Sequence, residues 1–372
     1  MTYRICTKSV MDTIADPDIT FDENGICNYY YEYQKKVPQR LFHDDPTQIE
    51  KIVDDIRKKG KGKDYDCLIG VSGGVDSTYV AYLTKSLGLR PLAMHFDNGW
   101  NSELAIKNIE NTLRKLNIDL ITHVIDWEEF KSLQLAFLHA STPDGEIPTD
   151  HAIFALLFKI ANDHNIKYII NGNNFSTEFV MPRTWSYGHI DWKYIKYIND
   201  TFGTRSLPTY PTITPAKYFY YFLVRGIRIL SILNYVPYKK AAAMELLEKE
   251  LDWKYYGGKH YESIYTRFYQ GHILPRKFGI DKRKAHLSTL IFSGQMSREQ
   301  ALEELKKPIY PEGMEEEDKA FVLKKLNLSQ EAFEAIMKAP PKTYRDYPNQ
   351  SRMLDLFRAQ LNRLREKRIL HS

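Results

Sequence analysis

Ser72-Gly73-Gly74-Val75-Asp76-Ser77 is the string in this chain whose residue types and spacing are suited to chemistry. Its two glycines remove the side chains that would keep a ligand off the backbone, so successive N–H groups can turn inward as an anion nest. Ser72 and Ser77 add hydroxyl donors, and a helix beginning just after the glycines aims its positive end at the same point. A phosphate is the natural guest. Asp76 is the odd member, because a carboxylate beside phosphates repels them unless a cation stands between, which argues for Mg²⁺ bridging the two. The spacing is neither Gly-x-x-x-x-Gly-Lys-Ser/Thr nor Gly-x-Gly-x-x-Gly.

The loop needs a strand before it and a helix after it, and the surrounding pattern supplies both. Asp66–Val71 reads as a buried strand and Asp76–Leu87 as a helix. A second strand over Leu92–Phe96 follows, then a helix with Ala105, Ile106, Ile109, Leu113 and Leu116 on one face. A third strand, Leu120–Ile125, precedes a helix through Phe130, Leu133 and Phe137; a helix over Ala152–Ala161 leads into a fourth strand at Tyr168–Ile170. This alternation predicts an α/β doubly wound parallel sheet. In such a sheet ligands lie beyond the carboxyl ends of the strands, which brings His95 and Asp97 from the second strand, and Gly172, Asn173 and Glu178 after the fourth, to the loop's crevice.

Three divisions follow: a small N-terminal module over residues 1–45, the loop-bearing domain over 46–180 and a mostly helical region over 181–372. The first is punctuated by Asp16-Pro17, Asn24-Gly25 and Val37-Pro38, predicting short strands and turns. A helix starts at Pro46 with Ile49, Ile52, Val53 and Ile56 at helical spacing and ends in a lysine run over 58–63 that reads as a solvated linker. Tyr218–Tyr235 is apolar enough to suggest a membrane span, but Arg225 and Arg228 in its middle make it a buried helix of a soluble protein. Leu354, Phe357, Leu361 and Leu364 form the stripe of a last amphipathic helix suited to packing or dimerisation. Trp185 and Trp192 sit in aromatic strings that could stack on a sugar ring, although packing is the commoner use.

Composition narrows the class. With 372 residues, 43% hydrophobic and 27% charged, the chain has ample material for a core, and its formal charge of +5 suits anionic ligands without demanding nucleic acid. Three cysteines and no secretory pattern at the N-terminus predict a reducing, cytoplasmic setting.

In its strand-to-helix setting the Ser-Gly-Gly-Val-Asp-Ser string resembles the pyrophosphate loop of the N-type ATP pyrophosphatases, an adenine nucleotide alpha hydrolase-like group that includes asparagine, NAD and GMP synthetases and tRNA thiolation enzymes. The resemblance implies cleavage of ATP between its α and β phosphates and transfer of AMP to a substrate oxygen, with ATP and Mg²⁺ bound by Ser72, Gly73, Gly74, Asp76 and Ser77 and Asp76 as metal ligand. Arg276–Lys284 holds five cations and one carboxylate; Lys282 and Arg283 are the candidates for neutralising departing pyrophosphate, and the string resembles a late lysine-containing element of asparagine synthetase-like enzymes.

The wider arrangement is similar to the N-acetyl sugar amidotransferases of bacterial surface polysaccharide and flagellin glycan synthesis. It comprises Cys6-x-x-Ser9 and Cys27-Asn28-Tyr29-Tyr30 with Asp-Pro-Asp-Ile-Thr-Phe-Asp between them, the loop, Lys277 to Leu287, and Ser293-Gly294-Gln295-Met296. That likeness implies conversion of a sugar acetamido group to an acetamidino group: the amide oxygen is adenylated and ammonia then expels AMP. The nitrogen source is then free ammonia or, as the likeness implies, a separate glutaminase with a barrel-type channelling partner. The residues agree, since position 2 is Thr and none of Cys6, Cys27 and Cys67 has the setting of a glutaminase nucleophile. Relatives often carry two Cys-x-x-Cys pairs in the first module; here Ser9 and Tyr30 replace the second members, so a closed zinc site is not expected. Two other readings compete. A tRNA thiolase would need a sulfur-carrying cysteine pair and a strongly basic surface. A non-catalytic nucleotide sensor would have no use for both Asp76 and the cation cluster.

Overall fold

The structure, a computed structural model, describes residues 2–258, 261–356 and 359. Its centre is a five-stranded, wholly parallel sheet in the order β3-β2-β1-β4-β5, made of β1 (Cys67–Gly70), β2 (Pro91–Asp97), β3 (Asp119–Val124), β4 (Tyr168–Asn171) and β5 (Arg228–Ser231). The helices preceding and threading this sheet are α1 (Asn28–Arg40), α2 (Pro46–Gly60), α3 (Val75–Ser86), α4 (Glu103–Leu116), α5 (Trp127–Ala140), α6 (Ile147–Asp163), α7 (Phe175–Glu178), α8 (Trp192–Phe202) and α9 (Pro215–Phe219). After β5 come α10 (Lys240–Leu251), α11 (Ile264–Phe268), α12 (Leu274–Phe278), α13 (Lys282–Phe292), α14 (Arg298–Lys306), α15 (Met314–Leu326) and α16 (Gln330–Lys338).

The central strands carry no polar side at all: Cys67, Leu68 and Ile69 of β1 are fully buried because helices cover both faces. Leu68 pairs with Leu92 on one side and Ile169 on the other, so the chain builds outward to β3, then returns across β1 to lay down β4 and β5. The crevice above the carboxyl ends of β1 and β4 lies at this reversal, where open α/β sheets bind their ligands.

The doubly wound parallel sheet stands as expected, with two corrections to its surroundings. Residues 28–40 form a helix rather than turns: Tyr33 stacks on Phe175 at 4.9 Å and leans on Phe292 at 5.5 Å, and this packing outweighs Pro38 inside the helix. Tyr218–Tyr235 is not one buried helix. α9 runs into a π-turn over Tyr220–Val224, Gly226 at φ +65° reverses the chain, and Ile229 and Leu230 become strand partners of Ile169 and Ile170. Leu223 and Val224 are exposed. The sheet therefore extends beyond residue 180, and one apolar core collects residues from Cys6 to Tyr347. Leu354 of the final stripe is buried; Phe357, Leu361 and Leu364 lie outside the described residues. Among the described residues no helix is long and apolar enough to cross a membrane.

In the N-terminal module Cys6 Sγ accepts from the backbone N–H groups of Lys8 and Cys27, each at 3.3 Å, and Ser9 Oγ lies 3.8 Å from Cys27 Sγ. The hydrogen bond shared with Cys27 holds the Cys6 thiol below the ordinary thiol range and pushes that of Cys27 up. Among the described residues no group of three or more His, Cys, Asp or Glu is arranged to hold a metal.

Asp144 in the α5–α6 connection is buried, accepting from the Tyr187 N–H at 2.9 Å and from the Tyr194 hydroxyl at 3.0 Å. Burial raises its pKa from 3.8 to about 6. A carboxyl whose folded pKa lies above its unfolded one stabilises the fold fully below the unfolded value, and that contribution is lost as pH rises through the folded value. Stability is thus expected to fall by about 3 kcal/mol between roughly pH 4 and 6 from this group. Urea titrations of wild type and Asp144→Asn across that window check it; equal pH slopes in the two proteins would refute it.

Candidate active site

The phosphate-type loop is closed by its own hydroxyls. Ser72 N–H donates to Ser77 Oγ at 3.3 Å, Gly74 N–H to Ser72 Oγ at 3.3 Å, and Ser77 Oγ to Gly74 O at 3.1 Å. Gly73 sits at φ +78°, and a Cβ there would lie 2.4 Å from the Ala105 carbonyl oxygen of α4, so only glycine fits. The Gly73 carbonyl accepts from Trp253 Nε1 at 2.9 Å and Asn108 Nδ2 at 3.4 Å. At Gly172 a Cβ would stand 3.0 Å from Asp76 Cβ, which lets the end of β4 pass against the first turn of α3.

Beside the loop opens a cavity of about 180 Å³, lined by Ser72, Gly74, Val75, Asp76, Ser77, Gly172, Asn173 and Glu178 together with Lys240, Tyr256 and Glu262. Most of the candidates taken from the sequence therefore meet in one place. The Tyr238 hydroxyl donates to Asp76 Oδ1, and burial followed by the Asp76 charge pushes the Tyr238 pKa up. Tyr256 Oη accepts from the Val75 N–H at 3.2 Å, at the start of α3, and burial raises its pKa as well. Tyr256 Oη and Glu262 Oε1 each lie 3.3 Å from where a Gly74 Cβ would be.

The remaining candidates sit elsewhere. His95 is buried, with Nδ1 at 3.0 Å from the Val71 carbonyl and Nε2 at 3.3 Å from Asn101 Nδ2, so it braces the β1 and β2 ends. Asp97 accepts from the Gly99 N–H at 2.9 Å, capping its own turn. Lys282 and Arg283 are not among the residues lining the cavity: Lys282 Nζ pairs with Glu146 at 2.8 Å, and Arg283 folds back on Asp281 at 2.8 Å and onto the Lys307 carbonyl at 2.8 Å. Among the described residues, the cation on the cavity wall is Lys240, the first residue of α10. Trp185, 1% exposed, donates from Nε1 to the Ala15 carbonyl, and Trp192 stacks on His151 at 5.5 Å, so both serve packing.

Tyr238, Lys240, Tyr256 and Glu262 carried no local signal. They lie more than 160 residues after the loop and reach it only through β5 and α10.

Residues 262–361 match the family model described as "LPS biosynthesis protein WbpG-like, C-terminal domain". An uncharacterised protein of Methanocaldococcus jannaschii is 24% identical over 323 residues, covering 84% of this chain and 96% of its own length. A glutamine-hydrolysing GMP synthase of Pyrobaculum aerophilum is 40% identical over 75 residues, 20% of this chain and 14% of that protein. A tRNA-specific 2-thiouridylase of Fusobacterium nucleatum is 28% identical over 120 residues, 30% of this chain and 34% of that one. Among solved structures, NMN synthetase from Francisella tularensis covers 77% of this chain and 97% of its own at 17% identity and a TM-score of 0.37. The NH₃-dependent NAD synthetase from Campylobacter jejuni covers 68% and 97% at 16% identity and a TM-score of 0.29.

Proposed function

Because residues 262–361 carry the C-terminal domain of WbpG-like LPS biosynthesis proteins, we propose that this chain uses ATP to convert an acetamido group of a sugar, carried on a nucleotide, into an acetamidino group. The observation that carries the reading is Glu262: the first residue of that matched domain lines the same cavity as the phosphate-type loop. The first residue of the matched stretch and the phosphate-type loop thus border one cavity.

The chemistry suits such a site. An amide oxygen is a poor leaving group; adenylating it makes an imidate that ammonia can attack. The Ser72 and Ser77 hydroxyls line the place where the phosphates would sit, and the start of α3 contributes its positive end. Among the described residues that line the cavity, the carboxylates of Asp76, Glu178 and Glu262 stand with the ammonium of Lys240, a setting in which a divalent cation would help a polyphosphate to enter. Asp76 would be the protein ligand to Mg²⁺, which would neutralise phosphate oxygens there. Lys240 takes the role of cation for departing pyrophosphate. Ammonia comes from a separate glutaminase with a barrel-type channelling partner.

The thiouridylase relative keeps a sulfur-transfer reading in view, and the cysteines speak against it. Cys67 is buried inside β1 with its thiol pKa raised by that burial, and Cys6 and Cys27 are buried in the N-terminal module.

The test is incubation with ATP, Mg²⁺, ammonia and a panel of nucleotide-linked diacetamido sugars. AMP, pyrophosphate and a product lighter by the difference between O and NH are expected. RNA-dependent pyrophosphate release with no response to any sugar would replace this reading with the sulfur-transfer one.

A further inference from the structure

Val75 opens α3, and its backbone N–H is one of the donors that a helix start leaves without an intrahelical partner. A phosphate bound at that end would use it. In this structure the N–H is already taken: it donates to Tyr256 Oη at 3.2 Å, and Val75 and Tyr256 both line the loop cavity. The contact is made where the ligand would sit, by a side chain 181 residues away in sequence.

The tyrosine is aimed there by its neighbours. Its ring meets the Trp253 indole edge-on at 5.7 Å, and that indole is 1% exposed and donates from Nε1 to the Gly73 carbonyl at 2.9 Å. The Tyr255 ring lies at the same distance of 5.7 Å. Tyr256 itself belongs to no helix or strand, and the chain bends at the next residue, Gly257, at φ +95°. Its side chain can therefore turn without unwinding an element.

Two acceptors cannot share this donor well. A phosphate oxygen and Tyr256 Oη would each need to stand about 3 Å from the nitrogen, in line with its single hydrogen. The space is crowded as well, since Ser72 Oγ lies 3.2 Å, and Tyr256 Oη and Glu262 Oε1 each 3.3 Å, from where a Gly74 Cβ would be. Burial, followed by the Glu262 charge, raises the Tyr256 pKa, so its oxygen stays a neutral hydroxyl. A charged phosphate oxygen is the stronger acceptor, roughly twofold in hydrogen-bond strength.

We propose that Tyr256 sets the affinity of the site for the phosphate chain: its hydroxyl holds the Val75 N–H until the nucleotide arrives, and the nucleotide binds by displacing it. This rests on the ATP reading and is independent of which acceptor is adenylated. The hydroxyl satisfies a helix start that would otherwise face the cavity bare, and part of the binding free energy of the phosphates goes into moving it aside.

Calorimetry tests this with two ligands: an ATP analogue, with Mg²⁺, whose α and β phosphorus atoms are joined through CH₂ and so resist cleavage there, and adenosine. Tyr256→Phe keeps the ring and removes the competing oxygen. The analogue should bind it about three- to tenfold more tightly than it binds wild type, the scale of one neutral hydrogen bond, while adenosine binds both alike. Unchanged affinity for the analogue would mean that the tyrosine only packs. Weaker binding of the analogue would mean that the hydroxyl holds the phosphates, and an equal gain for adenosine would place the effect at the nucleoside; each of these three results overturns the proposal. If Tyr256→Phe shows no cooperative melt, Tyr256→Leu, which also lacks the hydroxyl, goes through the same comparison and should show the same gain for the analogue over adenosine. Wild-type protein that binds neither ligand overturns the ATP reading itself, and the role of Tyr256 with it.

Discussion

Asp76→Asn is expected to lower ATP-dependent pyrophosphate release by about 10²- to 10³-fold, the cost typical of removing one preorganised stabiliser of developing charge. The substitution keeps the shape of the side chain and removes only its charge. Asp76 occupies the cavity wall beside Ser72, Gly74 and Ser77, and the buried Tyr238 hydroxyl fixes its orientation by donating to it. The Mg²⁺ dependence should move with the rate, because in the proposed reaction the lost charge is the one that would draw the cation to the phosphates. Pyrophosphate release measured across a Mg²⁺ titration, with a melting curve to show that the fold is intact, checks both. A variant with wild-type rate and wild-type Mg²⁺ response would remove Asp76 from the mechanism.

Arg267→Ala is expected to destabilise the protein by about 3–5 kcal/mol, because it strands a buried carboxylate. Arg267 of α11 meets Asp318 of α15 through two hydrogen bonds, Nε to Oδ2 and Nη2 to Oδ1, both 2.6 Å, with the side chains only 14% and 6% exposed. Arg267→Lys should recover little, since an ammonium cannot reproduce the planar two-pronged contact. Urea denaturation measures the difference, and a loss below about 1 kcal/mol would mean that water reaches Asp318 when the guanidinium goes. α11 starts just after Glu262, so milder versions of this lesion should also weaken nucleotide binding.

The legible parts of this molecule are those whose physics is local. The apolar runs of β1, β2, β3 and β4 alternate with amphipathic helices, and the loop residues share a few adjacent positions, so both were readable directly from the chain. β5 was hidden because Arg228 and a dense aromatic string mask a short strand whose partners, Ile169 and Ile170, are far away in sequence. α1 was hidden because Pro38 and neighbouring turn pairs outvote a helix that exists by virtue of Tyr33 packing on Phe175. The run containing Lys282 and Arg283 drew attention by its charge density, yet density does not say what each cation faces: Glu146 and Asp281 claim those two, and Lys240, from outside the run, reaches the cavity. Tyr238 and Tyr256 could not have been singled out, since a tyrosine among 26 acquires meaning only through the atom it touches.

The Gly73 carbonyl, gripped by Trp253 and Asn108 at a residue where Ala105 leaves no space for a Cβ, bears on how separable the parts of this protein are. The turn that would meet phosphate takes its shape from α4 and from an indole 180 residues downstream, and the outermost strand of its sheet arrives from that same downstream region. A fragment cut at residue 180, or a hybrid that swaps the C-terminal part for a distant relative's, would therefore inherit the motif without its curvature. For this architecture the unit that can be transplanted or evolved independently is the whole chain, not the glycine-rich loop with its flanking strand and helix.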